Sequence, residues 1–293
     1  MLIALLTAAT AQTITLPCAD SLGDTARYRF DYRAAKPDGA TAFQRTYSLA
    51  VGARTEDVLP IVMHTESARV IEAGSGTGAA ATRALVETPL PDVVARVRFP
   101  DTGTEVTFTN LGELTGALRQ PVRSAVVATL PAGGPQRTSA VDELLDMVLS
   151  ETVIERSLLG YYLPVYGYTC QTWPLGEAAQ QVALPNPLGG EPLPATLTVT
   201  MHPVQPDGSY RVEEAQVLGD INVAAVVGPL VEQLGLPPEA IEPMLATPIR
   251  IQNATELVVD ADGWLRSAST HKTVELLGQH STETTRLQRA PMP

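Results

Sequence analysis

Few residues of this chain could do chemistry, and they are scattered. His64, His202, His271 and His280 are its four histidines. None falls in an H-E-x-x-H pair or at a close ligand spacing, so no metal centre is expected. No G-x-S-x-G is present, which removes the nucleophile elbow of hydrolases. Asp260 and Asp262 stand in an Asp-Ala-Asp-Gly turn, but the further oxygen ligands and closing glutamate of a calcium loop are missing. The clearest chemical signature is a cluster of Tyr161, Tyr162, Tyr166, Tyr168 and Trp173. Each has an apolar body and a polar tip, which suits the rim of a cavity for a hydrophobic ligand. Ordinary half-buried packing beside a disulfide would use the same residues.

One stretch imitates a cofactor site. Residues 69–78 read Arg-Val-Ile-Glu-Ala-Gly-Ser-Gly-Thr-Gly. This resembles the first motif of Rossmann-like methyltransferases, where a strand ending in glutamate meets a glycine turn that cradles S-adenosylmethionine. The resemblance implies an S-adenosylmethionine loop at 74–78 and a ribose-binding acid at Asp101. The residues on its C-terminal side oppose it. Pro100, Asp101, Thr102 and Gly103 form a turn, and the strand-like residues 105–109 run straight back. A doubly wound sheet requires a crossover helix there. The loop is read as a connection within an antiparallel sheet, and neither cofactor nor catalysis is expected.

The elements that would position these residues are mostly hairpins. Residues 26–33 alternate Tyr28, Phe30 and Tyr32 against polar neighbours, and 43–51 place Phe43, Tyr47, Leu49 and Val51 on one side. Similar pairs are expected at 93–109, at 196–201 with 210–218, and at 249–259 with 265–277. Residues 283–288 would close the sheet or trail from it. Residues 56–72 fit strand or helix. Between hairpins lie helix signals. The strongest spans 139–159, where Ser139 with Asp142 and Glu143 resembles a capping box. Val141, Leu144, Leu145, Val148 and Leu149 then form an apolar stripe, and Gly160 is the stop. Shorter helices are expected at 111–118, 121–130, 221–234 and 237–245.

Composition bounds the rest. The chain has 293 residues, 44% apolar and 18% charged, with a formal net charge of -12. That supports a folded core and opposes nucleic-acid binding, which depends on Lys and Arg displacing counterions. Residues 2–11 form a short apolar run ending in an A-x-A pattern. This is read as a signal peptide over 1–11, cleaved near Ala11 and leaving Gln12 first. The chain is not expected to span a membrane. Cys18 and Cys170 are its only cysteines and would form one disulfide in an oxidising compartment. The division expected is an N-terminal half over 12–173, a Pro/Gly-rich linker over 174–195 and a C-terminal half over 196–293. Both halves share a hairpin, helices, hairpin plan.

Two segments resemble a group of exported bacterial proteins of unknown function. They are 94–103 (VARVRFPDTG) with 110–118 (NLGELTGAL), and 256–266 (ELVVDADGWLR). The resemblance implies a periplasmic or secreted protein whose curved antiparallel sheet is similar to the open half-barrels of envelope lipoprotein carriers. The expected class is therefore α+β, a sheet of hairpins packed on helices. The expected role is non-catalytic, binding lipid, another apolar molecule or an envelope protein. The alternatives are a purely structural envelope module and an S-adenosylmethionine-dependent methyltransferase using the glycine loop 74–78.

Overall fold

The computed structural model describes residues 12–37, 39–55, 58–74, 86–87, 92–98, 107–129, 168–184, 193–218, 250–276 and 279–292. In chain order the strands begin with β1 (Thr13–Thr15), β2 (Thr25–Lys36), β3 (Gly39–Val51), β4 (Val58–Ala73), β5 (Val93–Arg98) and β6 (Thr107–Phe108). Helix α1 (Leu111–Thr129) is next. Then come β7 (Thr172–Pro174), β8 (Gly176–Leu184), β9 (Leu193–Met201), β10 (Tyr210–Leu218), β11 (Arg250–Val259), β12 (Leu265–Leu276) and β13 (Gln279–Ala290).

Two antiparallel meanders, β2 to β6 and β8 to β13, are joined because β13 pairs with β2. The result is one eleven-stranded sheet in the order β6-β5-β4-β3-β2-β13-β12-β11-β10-β9-β8. β1 and β7 pair separately as a two-stranded ribbon.

Period-two alternation explains the core. In β2, Ala26, Tyr28 and Phe30 are buried while Arg29 is exposed. Register carries that face across the sheet: Phe30 pairs with Leu287, Leu287 with Ala268, Ala268 with Leu257, Leu257 with Val212, and Val212 with Met201. All six are buried and belong to a single hydrophobic cluster. Each large side chain removed from water contributes about 1.5–3 kcal/mol, so this row gives the two meanders a common source of stability. Leu114 and Leu118, one turn apart on α1, add to the same cluster.

Several expectations are corrected. The fold is a predominantly antiparallel β structure, not an α+β packing of sheet on helices: α1 is the one full helix among the described residues. The ambiguous segment 56–72 is largely β4, sixteen residues long. Pro60 lies near the start of it, opposite the end of β3, where Gly52 N still donates to Pro60 O at 2.8 Å and only one terminal ladder bond is lost to the missing N–H. The expected linker holds β8, whose small and polar residues give little strand signal. Pairing with β9 imposes the conformation. The two short helices expected at 111–118 and 121–130 are one, with Pro121 inside it. The helices expected at 139–159, 221–234 and 237–245, like the leader at 1–11, lie outside the described residues.

Candidate functional site

The β1–β7 ribbon presses the segment before Trp173 against the sheet. Leu16 N donates to Gln171 O at 3.0 Å, and Cys170 N donates to Leu16 O at 3.1 Å. The Cys18–Cys170 disulfide, with Cα atoms 4.7 Å apart, locks the same two segments. Cys170 has φ +66°, a left-handed conformation that turns the chain sharply between Tyr168 and Trp173.

On the core side of that turn, Tyr168 is 5% exposed. Its ring centroid lies 5.5 Å from that of Trp173, tilted by 46°. Trp173 Nε1 donates to Tyr168 O at 3.0 Å, and the Tyr168 hydroxyl donates to Glu214 Oε2. Burial, reinforced by the Glu214 charge, pushes the Tyr168 hydroxyl far above its ordinary pKa. It therefore stays protonated and works as a fixed donor.

Beside this assembly is an apolar pocket of about 200 Å³ lined by Trp173, Pro174, Ala178, Ala179, Gln180, Val199 and Met201. Val199 pairs directly with Glu214 on β10, so the Tyr168-bound carboxylate lies one strand away from the pocket's lining, in which Gln180 is the polar side chain. Such a site can enclose hydrocarbon, with the Gln180 amide to exchange hydrogen bonds at its margin. Among the described residues that line it, none is a nucleophile paired with a base.

Of the five aromatic residues expected at a cavity, Tyr168 and Trp173 are brought together, and Trp173 lines the pocket. Tyr161, Tyr162 and Tyr166 lie outside the described residues. Val199 and Met201 were legible as inward positions of an alternating strand. Glu214 was not, since its role depends on cross-strand register. The histidines stand apart from the pocket. His64 Nδ1 lies 2.6 Å from exposed Asp92, and His202 Nε2 lies 3.4 Å from Glu213. His271 meets the hydroxyls of Thr284 and Thr273 at 3.2 and 3.4 Å.

Asp260 and Asp262 are engaged by cations of the chain itself. Arg266 Nη2 lies 2.6 Å from Asp260, and Arg289 Nη1 lies 2.8 Å from Asp262. Arg266 Nη1 also reaches Asp207 at 2.7 Å, tying the β9–β10 turn to the β11–β12 turn. Among the described residues no group of three His, Cys, Asp or Glu side chains is placed to hold a metal. The glycine motif fails on topology. β4, which carries Glu72, pairs antiparallel with both β3 and β5, so the parallel crossover unit the motif needs is not formed there. Glu72 itself lies 3.7 Å from Arg33.

No protein-family model and no curated protein matches the sequence. Among solved structures, the chain is similar to one of lipid–protein interactions in lipovitellin, with a TM-score of 0.42 and 8% identity. That likeness covers 92% of this chain and 25% of the other, so the chain spans a quarter of the lipovitellin chain it matches. A crystal structure of Rv2717c from M. tuberculosis gives a TM-score of 0.25 and 11% identity, covering 92% of both chains. At such scores the fold rests on its own strand pairing.

Proposed function

We propose that this protein binds an apolar molecule, or the apolar end of a larger one, without transforming it, in an oxidising compartment outside the cytoplasm. The observation that carries the reading is the pocket walled by Trp173, Val199 and Met201, with Gln180 as its polar lining residue. Its volume of about 200 Å³ is below the range of roughly 300–1,000 Å³ that encloses whole drug-sized ligands. It therefore suits a short length of hydrocarbon, with the remainder of the ligand outside. The Cys18–Cys170 disulfide supports the compartment, and the A-x-A pattern before Gln12 supports export. Among the described residues no helix is long and apolar enough to cross a membrane.

A relation to the exported bacterial group belongs to the same proposal. Its segments fall on β5, on α1 and on the β11–β12 turn.

An uncharged apolar fluorescent probe tests the binding. Saturable uptake is expected, with quenching of tryptophan emission, and Val199→Asp should weaken it at least tenfold by placing a carboxylate in the apolar wall. Absence of saturable uptake by the disulfide-bonded protein, together with no lipid retained in its native mass spectrum, would overturn the reading.

A further inference from the structure

The two edges of the eleven-stranded sheet end differently. At one end β6 is two residues long, and Asn110, 6% exposed, takes over beyond it. Its Oδ1 accepts from Arg96 N at 2.9 Å, and its Nδ2 donates to Val94 O at 2.8 Å, so a side chain occupies backbone groups of β5 that another strand would use. At the other end β8 runs nine residues in unbroken register with β9, from Gly176 opposite Met201 to Leu184 opposite Leu193. Natural proteins discourage pairing at an edge with Lys, Pro, bulges or very short strands. β8 has no Lys, no Pro and no bulge, and its one charged residue, Glu177, stands near its beginning. Among the described residues no strand lies on its outer side.

From this contrast we infer that β8 pairs antiparallel with β8 of a second copy of this chain, about a two-fold axis through Gln180. The sequence is compatible with itself in that register. Gly176 faces Leu184, Glu177 faces Ala183, Ala178 faces Val182, and Ala179 faces Gln181. The two Glu177 residues end up about 20 Å apart along the ribbon, at about 3.4 Å per residue. Sliding the register toward the start of β8 brings these carboxylates together, so charge selects the centred pairing. The contact is isologous and closes as a dimer without leaving an edge for a third copy.

The pocket supports the same occupant. Ala178, Ala179 and Gln180 of β8 line it, so it reaches the edge of the sheet. A second β8 about 4.8 Å away would place its own Ala178 and Val182 at that margin. Each pocket would then be completed by residues of both copies. The pairing stands whether or not the pocket is occupied.

The test is made on the full disulfide-bonded chain. Light scattering of the wild type should give twice the chain mass, and Gln180→Lys and Gln180→Glu should each halve it by opposing like charges at the axis. Mixing the two variants should restore the doubled mass as a heterodimer. Gln180→Cys should crosslink under mild oxidation, because facing residues in an antiparallel pair have Cα atoms about 4.5–5.5 Å apart, within disulfide reach. A wild type of single mass overturns the inference, whether its β8 amides exchange fast or are protected by another part of its own chain. A dimer that survives both charge variants and does not crosslink places the interface elsewhere and overturns it equally.

Discussion

Gly263 shows how one residue fixes a long-range contact. With φ +82°, it turns the chain from β11 into β12. A Cβ added there would lie 2.3 Å from Cys18 C and 2.5 Å from Ala19 N. These are backbone atoms held by a disulfide, so they cannot swing aside. Gly263→Ala is expected to cost about 3 kcal/mol, combining left-handed strain with overpacking, read as a lowered denaturation midpoint. A loss under about 1 kcal/mol would mean that the N-terminal segment yields.

Tyr28 and Tyr168 set the alkaline limit of stability. Burial is the main cause holding both hydroxyls protonated well above their ordinary value of 10.0. The unfolded chain releases these protons first. Their contribution is therefore complete below pH of about 10 and is lost as pH rises further. Tyrosinate absorbance should show a phase that appears only with unfolding, and Tyr168→Phe should shrink it. At this scale the sequence was partly legible. Alternation marked Tyr28 and Phe30 as inward, but nothing local could reveal that Gly263 meets Cys18 or that Tyr168 meets Glu214. Both contacts join residues distant along the chain.

Among the elements, the β1–β7 ribbon is short and depends on its crosslink. Three residue pairs cannot hold two segments together against chain entropy. The disulfide spans 152 residues, and in the chain-entropy model a loop of that length contributes about 5 kcal/mol. Reduction, or Cys18→Ser with Cys170→Ser, should lower stability by up to that amount. It should also release Trp173 from Tyr168, seen as a red shift of tryptophan emission and weaker probe uptake. Unchanged emission after reduction would show that backbone pairing alone suffices. Element type was readable where alternation was strong, as in β2 and β3, and where an Asp-Gly turn marked a hairpin, as between β11 and β12. It was misread in β8, whose Ala and Gln residues favour helix over strand and which is a strand because β9 lies beside it. The expected balance of sheet and helix failed for a related reason. Helix signals are local, whereas β4 and β8 are stabilised by neighbours that sequence order alone does not name.

Across the whole molecule, the pairing of β13 with β2 makes the two meanders one sheet with one continuous apolar row. Leu287, 2% exposed, stands at that junction between Phe30 and Ala268. Leu287→Ala should cost about 2–5 kcal/mol as a core cavity, yet unfolding should remain a single transition, because neither meander keeps its core without the other. Two separable transitions in calorimetry would instead divide the chain into independent halves. The same junction governs how the molecule is made. The strand at the middle of the sheet is made after every other strand of that sheet, so a nascent chain that has not reached it lacks the piece that unites its two parts. Until that strand is synthesised the two meanders have no strand to join them, and the polypeptide cannot complete its native sheet.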